Sequence, residues 1–209
     1  MPTRKGRETR KLVLESARAL FREKGFQGVS IREIAKKVGM REASLYYYAP
    51  EGKEQLYVEV VKQELEAYRE GMVQAIRGAR PMLESQLRQV AAWFLTQTPP
   101  PLFRLFETDL QFLSQENRED VLARVFESLY SPLALVFRNA QIRGEIRVVD
   151  PIFLASQFLS TMVGMQHAQQ AGLLTDANDA LIDQTLDVLM NGLALDIGLE
   201  DDGEGEGEA

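Results

Sequence analysis

The sequence predicts an all-α chain, a three-helix head joined to a larger helical body, with about nine helices in total. Three observations carry that prediction. Apolar residues recur at helical spacing from residue 9 almost to the C-terminal end, and no two-residue alternation competes with them. Helix-breaking residues punctuate the runs at Gly25, Gly39, Pro50, Gly52, Pro99-Pro100-Pro101 and Gly144. Charge is segregated along the chain: residues 1–62 carry 14 Lys and Arg against 8 Asp and Glu, a net +6, whereas the rest carries 10 against 23, a net −13. A basic head on an acidic body follows.

Taken in order, residues 9–24 place Val13, Ala17, Leu20 and Phe21 on one helix face, and Gly25 stops the helix. Ser30, with Glu33 three positions on, forms a capping box in which the hydroxyl and the carboxylate each satisfy the other residue's amide. In the second helix, Ile31, Ile34, Ala35 and Val38 line the inner face. Gly39 supplies a left-handed turn into "MREASLYYY", a third helix of barely two turns anchored inward by Met40, Leu45 and Tyr46. A long amphipathic helix then runs from Lys53 to about Gly78 with Leu56, Val60, Leu65 and Tyr68 near one face. Further helices are expected at 81–97, 102–115, 118–143 with a kink at Pro132, 150–171 and 178–197. The domains are accordingly 1–52, 53–198, and a disordered acidic tail at 199–209, whose closing "EDDGEGEGEA" has no apolar content to order it.

At 209 residues and 45% apolar content, the chain is long enough for a substantial core. The absence of cysteine excludes disulfides and thiolate metal sites, and a lone histidine, His167, excludes any site needing two imidazoles. No cofactor and no metal are expected. The first twenty residues are too charged for a secretion signal, and no apolar run approaches the roughly 18 residues of a spanning helix. The expectation is a cytoplasmic protein without a membrane partner.

Two short helices joined by a tight glycine turn are the geometry that lays the second helix in the major groove of DNA while the first crosses the backbone. Arg41, Glu42 and Ser44 fall on the outer face of the third helix. Arginine can donate a bidentate pair to guanine and glutamate can accept from cytosine, whereas tyrosine hydroxyls suit phosphate oxygens. One tyrosine of the triplet Tyr46-Tyr47-Tyr48 then packs, and its neighbours face the DNA backbone. Arg4, Lys5 and Arg7 form a flexible N-terminal arm that enters a neighbouring minor groove or collects phosphate charge.

The order "VLESARALFREKGFQGVSIREIAKKVGMREASLYYYAPEGKEQL" resembles the N-terminal domain of the TetR family of bacterial transcriptional regulators. The elements that carry the likeness fall on Val13-Leu14, Ala17, Leu20-Phe21, Gly25-Phe26, Ile34-Ala35, Gly39, Leu45-Tyr46, Tyr48, Lys53 and Leu56. The resemblance implies a ligand-responsive repressor that binds a palindromic double-stranded DNA operator as a dimer. It implies phosphate contacts from Ser44, Tyr47, Tyr48 and Lys53, base contacts from Arg41 and Glu42, and backbone contacts from Ser30 and Arg32. Two departures stand out: Arg41 replaces a small capping hydroxyl, and "APEG" lengthens the link to Lys53 by one residue.

One short recognition helix reads few base pairs, so specificity calls for a two-fold dimer gripping half-sites about 34 Å apart. The last two helices suit a homodimer interface: their apolar content is broad, and Ala155, Ser160, Gly164 and Ala168 permit close approach. In the middle of the body Trp93, Phe94, Phe103, Phe106, Phe112, Phe126, Tyr130 and Phe137, with Met162 and Met165, either line a cavity for a small hydrophobic effector or fill the core. The competing function classes are a helical enzyme, for which Glu107 and Asp109 are poorly spaced on a helix, and an interaction protein without sequence-specific DNA binding.

Overall fold

The computed structural model describes residues 4–97 and 105–191, apart from the side chains of Lys5 and Glu107. Phe103, the acidic tail at 199–209 and positions 192–197 of the expected last helix lie outside the described residues. Within them the chain is all-α, with no strand.

The head consists of α1 (Arg4–Lys24), α2 (Ile31–Val38) and α3 (Glu42–Leu45). Helix α1 begins five residues before the expected position, so the N-terminal arm is a correction: Arg4 and Arg7 lie in its first turn. Their sequence holds no proline, and ion pairs of i,i+4 spacing, Arg4 with Glu8 and Lys11 with Glu15, support the helical form. The predicted capping box is present on α2, where Ser30 Oγ accepts from the Glu33 amide and the Glu33 carboxylate accepts from the Ser30 amide at 2.8 Å. Gly39 closes α2 at φ 78°, where a side chain would be strained, and its neighbour Met40 bonds back to Ala35.

The long helix α4 (Lys53–Gly78) belongs to both halves, packing on α1 along its first turns and on α5 (Leu83–Thr96) further on. Leu56, Val60, Leu65 and Tyr68 are buried, as their spacing predicts. Arg10 grips Glu59 bidentately at 2.7 and 2.8 Å, and Arg22 bonds Glu64 at 2.8 Å, so polar ties flank the apolar α1–α4 seam. Gly71 lets the Trp93 ring lie directly on the backbone of α4; a Cβ there would sit 2.3 Å from the indole.

Two departures from regular helix shape the body. The expected helix at 102–115 is, over its described part, a π turn (Leu105–Asp109) followed by a 3-10 turn (Leu110–Phe112). The expected 118–143 helix divides into α6 (Gln115–Val125), a π turn (Phe126–Tyr130) and α7 (Ser131–Ile142). Pro132 explains the division. It has no N–H to donate and its ring displaces the carbonyl four residues back, so the ladder widens, and the Ser131 amide bonds Phe126 five residues earlier. Helix α8 (Pro151–Gln170), N-capped by Asp150, lies against α7, and α9 (Asn178–Asn191) lies against α5.

Candidate nucleic-acid interface

The surface of the head is set by which side of α3 is anchored. Leu45 is fully buried and Met40 is half-buried against the same core. Tyr46, expected as the third anchor, is 44% exposed, and Tyr47 is 79% exposed. The packing tyrosine is Tyr48, half-buried against the core and meeting Tyr47 edge to face at 5.1 Å between centroids. Helical geometry explains the exchange: Tyr48 is three residues from Leu45 and shares its face, whereas Tyr46 is rotated about 100° away. Helix α3 is also shorter than expected, one turn followed by tight turns through Tyr48.

Arg41, Glu42 and Ser44 are exposed together on this surface. Arg41 occupies the N-cap position of α3 with no side-chain cap bond, which fits its long side chain and leaves the guanidinium directed elsewhere. Ser30 and Arg32 are exposed at the start of α2, although the Ser30 hydroxyl is engaged with Glu33. The Glu33 carboxyl is lowered to about 2, first by its hydrogen bond from Lys24 at 2.9 Å and then by those from Ser30. Lys36 and Lys37, which the sequence reading did not single out, are exposed in the last turn of α2.

Lys53 departs furthest from expectation. Its ammonium donates to the Phe26 carbonyl at 2.9 Å and sits 4.2 Å from the centre of the Phe26 ring. Burial pushes its pKa below the usual lysine value, opposed by attraction to Asp109. Arg4 pairs with Glu8 on α1, Arg7 is exposed, and the side chain of Lys5 lies outside the described residues.

The aromatic residues assigned to an effector cavity separate into two groups. Phe94, Phe137, Met162 and Met165 are buried, with Trp93 and Tyr130 half-buried against the same core. Phe106, Phe112 and Phe126 are corrections: all three are more than a third exposed, Phe126 stacking on Tyr130 at the π turn. Between the starts of α5 and α8 and the ends of α7 and α9 lies a cavity of ≈ 420 Å³ lined by Leu83, Phe137, Ile146, Phe153, Leu154 and Met190. Asp109 is 3% exposed and accepts from the Phe26 amide and the Tyr57 hydroxyl.

A small head with an exposed one-turn helix behind a glycine turn, set on a larger all-α body, is a helix-turn-helix arrangement. Residues 13–60 match the family "Bacterial regulatory proteins, tetR family". The likeness to this family lies in the head and the first turns of α4. The chain is 40% identical over 50 residues to the biofilm operon icaADBC HTH-type negative transcriptional regulator IcaR of Staphylococcus aureus, a match covering 24% of this chain and 26% of that protein. The chain spans about a third or less of the length of the curated relatives it matches. Among solved structures it resembles AibR in complex with isovaleryl coenzyme A and operator DNA, with a TM-score of 0.69, 21% identity, and 87% and 98% of the two chains covered. It also resembles the transcriptional regulator FadR from Bacillus subtilis in complex with stearoyl-CoA, with a TM-score of 0.71, 17% identity, and 88% and 99% covered. At these identities the likeness is one of fold. Among the described residues no helix is long and apolar enough to cross a membrane.

Proposed function

We propose that the chain is a ligand-responsive transcriptional repressor, a cytoplasmic binding protein rather than an enzyme, which grips a palindromic DNA operator as a homodimer and is released by a hydrophobic small molecule. The observation that carries this reading is the exposed surface of α3, where Arg41, Glu42, Ser44 and Tyr47 stand together over an anchor of Leu45 and Tyr48. On this surface Arg41 and Glu42 face base edges, while Ser44, Tyr47 and Arg32 hold phosphates. Residues 1–52 form the head and the body starts at Lys53. Helices α8 and α9 join the two copies. The effector is an acyl thioester or a molecule of similar apolar length, a class supported by the fold likeness to AibR and FadR with their bound ligands. The aromatic interior around Phe94, Phe137 and Met162 supplies the apolar contact such a chain needs. Release follows if the effector binds better to a form whose heads no longer match the half-site spacing.

Fluorescence anisotropy with the DNA flanking the chain's own gene tests the reading. The parent protein should bind with a salt slope of about −0.9 per phosphate contacted. Tyr47→Ala should weaken binding across sequences, whereas Arg41→Ala should lower discrimination at one base position by about 1–3 kcal/mol. Equal binding by the parent and Tyr47→Ala, or no salt-dependent binding by the parent, overturns it.

A further inference from the structure

The turn between α1 and α2 is gripped on both sides of one residue. The amide of Phe26 donates to Asp109 Oδ1 at 3.2 Å, and its carbonyl accepts from Lys53 Nζ at 2.9 Å. Asp109 closes the π turn of the body, and its second oxygen accepts from the Tyr57 hydroxyl of α4 at 2.7 Å. The rings around this carboxylate interlock: Phe21 and Phe26 each meet Tyr57 edge to face, at 5.1 and 5.0 Å between centroids. Beside it, Glu54 of α4 accepts from the Ser114 amide at 2.7 Å and from the Asn117 side chain at 2.8 Å, tying the start of α6 to the same turn of α4. Burial opposes ionisation of Glu54, but the bonds from Asn117 and Ser114 outweigh it and hold the carboxyl below its usual range. Two carboxylates therefore tie the 105–117 stretch to the first turns of α4, and Asp109 reaches past α4 into the head itself.

We infer that Asp109 is a positioning residue for DNA recognition: by holding the Phe26 turn and Tyr57 together, it fixes the angle at which α2 and α3 stand on the body. The inference rests on the repressor reading for its consequence but not for its geometry. Phe26 precedes the N-cap of α2 by four residues, so the Phe26 turn sets where α2 starts. Withdrawing the buried carboxylate takes one hydrogen bond from the Phe26 amide and one from the Tyr57 hydroxyl, so its displacement is costly. Asp109 thereby couples the π turn of the body directly to the Phe26 turn of the head.

The test pairs a distance with an affinity. The chain has no cysteine, so spin labels at Lys37→Cys on α2 and Arg138→Cys on α7, diluted with unlabelled protein, report the head–body distance within one chain. Asp109→Asn keeps the size but places an amide donor against an existing donor. It should shift or broaden the distance distribution well below the melting midpoint and weaken operator binding about tenfold. Tyr57→Phe should move both readouts in the same direction by less, and the double variant should weaken binding no more than Asp109→Asn alone, because the two groups share one bond. A folded Asp109→Asn with the parent distance distribution, or with a changed distribution and unchanged operator affinity, overturns the inference. Should Asp109→Asn fail to fold, Tyr57→Phe decides by the same criteria. If the parent binds no operator, the repressor reading fails, while the distance measurement still decides whether Asp109 holds the head.

Discussion

Glu33 is half-exposed and belongs to no core, yet it organises the start of the helix that precedes the candidate recognition helix. One oxygen accepts from the Lys24 ammonium and the other from both the amide and the hydroxyl of Ser30, so the end of α1 and the start of α2 meet on one carboxylate. Its folded pKa lies below the unfolded one, at about 2 against an ordinary 4.5. A group depressed in this way contributes stability that is present above the unfolded value and lost as the pH falls toward the folded value. Urea unfolding followed from pH 5 down to about 2 should therefore show a loss of stability that Glu33→Gln reduces, since glutamine preserves the cap geometry without the titrating charge. Ser30→Ala, which removes the N-cap acceptor itself, should lower stability by about 1 kcal/mol at neutral pH. An acid limb identical in the parent and Glu33→Gln would show that the carboxylate does not hold this junction.

The same economy of local signals acts on whole elements. Gly39 alone sets the turn between α2 and α3 at φ 78°, and a Cβ there would meet no other atom within 4 Å, so the strain of a side chain is purely conformational. Gly39→Ala should therefore cost about 1–2 kcal/mol in thermal or urea unfolding without a cavity or a clash, and no measurable loss would mean that the turn can re-form otherwise. Elements bounded by such chemistry were legible in the chain itself. The bounds of α4 follow from Gly52 and Gly78, and α2 from its capping box and Gly39. What was illegible depends on partners distant in sequence. Asp109 reads as an unpaired acid until Phe26 and Tyr57 arrive beside it from 83 and 52 residues away. The π turn at Phe126–Tyr130 follows from Pro132, but a proline signals a break without stating whether the helix bends or widens its ladder. Tyr48 could have been placed inward from its three-residue spacing to Leu45; the run of three tyrosines hid a rule the sequence did contain. Phe106 and Phe126 illustrate the limit of composition, since aromatic content says nothing of which way a ring turns at an irregular segment.

At the scale of the molecule, one side of α8 is exposed among the described residues of a single copy. Ala155, expected at the interface between copies, is fully buried within the subunit, while Ser160 and Gly164 are exposed, Ala168 is half-exposed, and Phe153 continues the outer side toward the start of the helix. Small residues on an uncovered helix allow a second helix to approach closely, and a cyclic dimer presents the same face from both copies. Gly164 gives the sharpest test of that arrangement because a Cβ added there meets nothing within 4 Å in the isolated subunit. Gly164→Leu should thus leave each subunit folded, and helix propensity alone favours leucine by about 1 kcal/mol. Across a close helix–helix contact the same side chain would force the copies apart. Sedimentation velocity should show a dimer for the parent and a monomer for Gly164→Leu, with helical circular dichroism unchanged. Operator affinity should fall with it, because the monomer loses the second half-site. A dimer that survives Gly164→Leu would place the contact on another face of the body and leave the spacing of the two heads to be set from there.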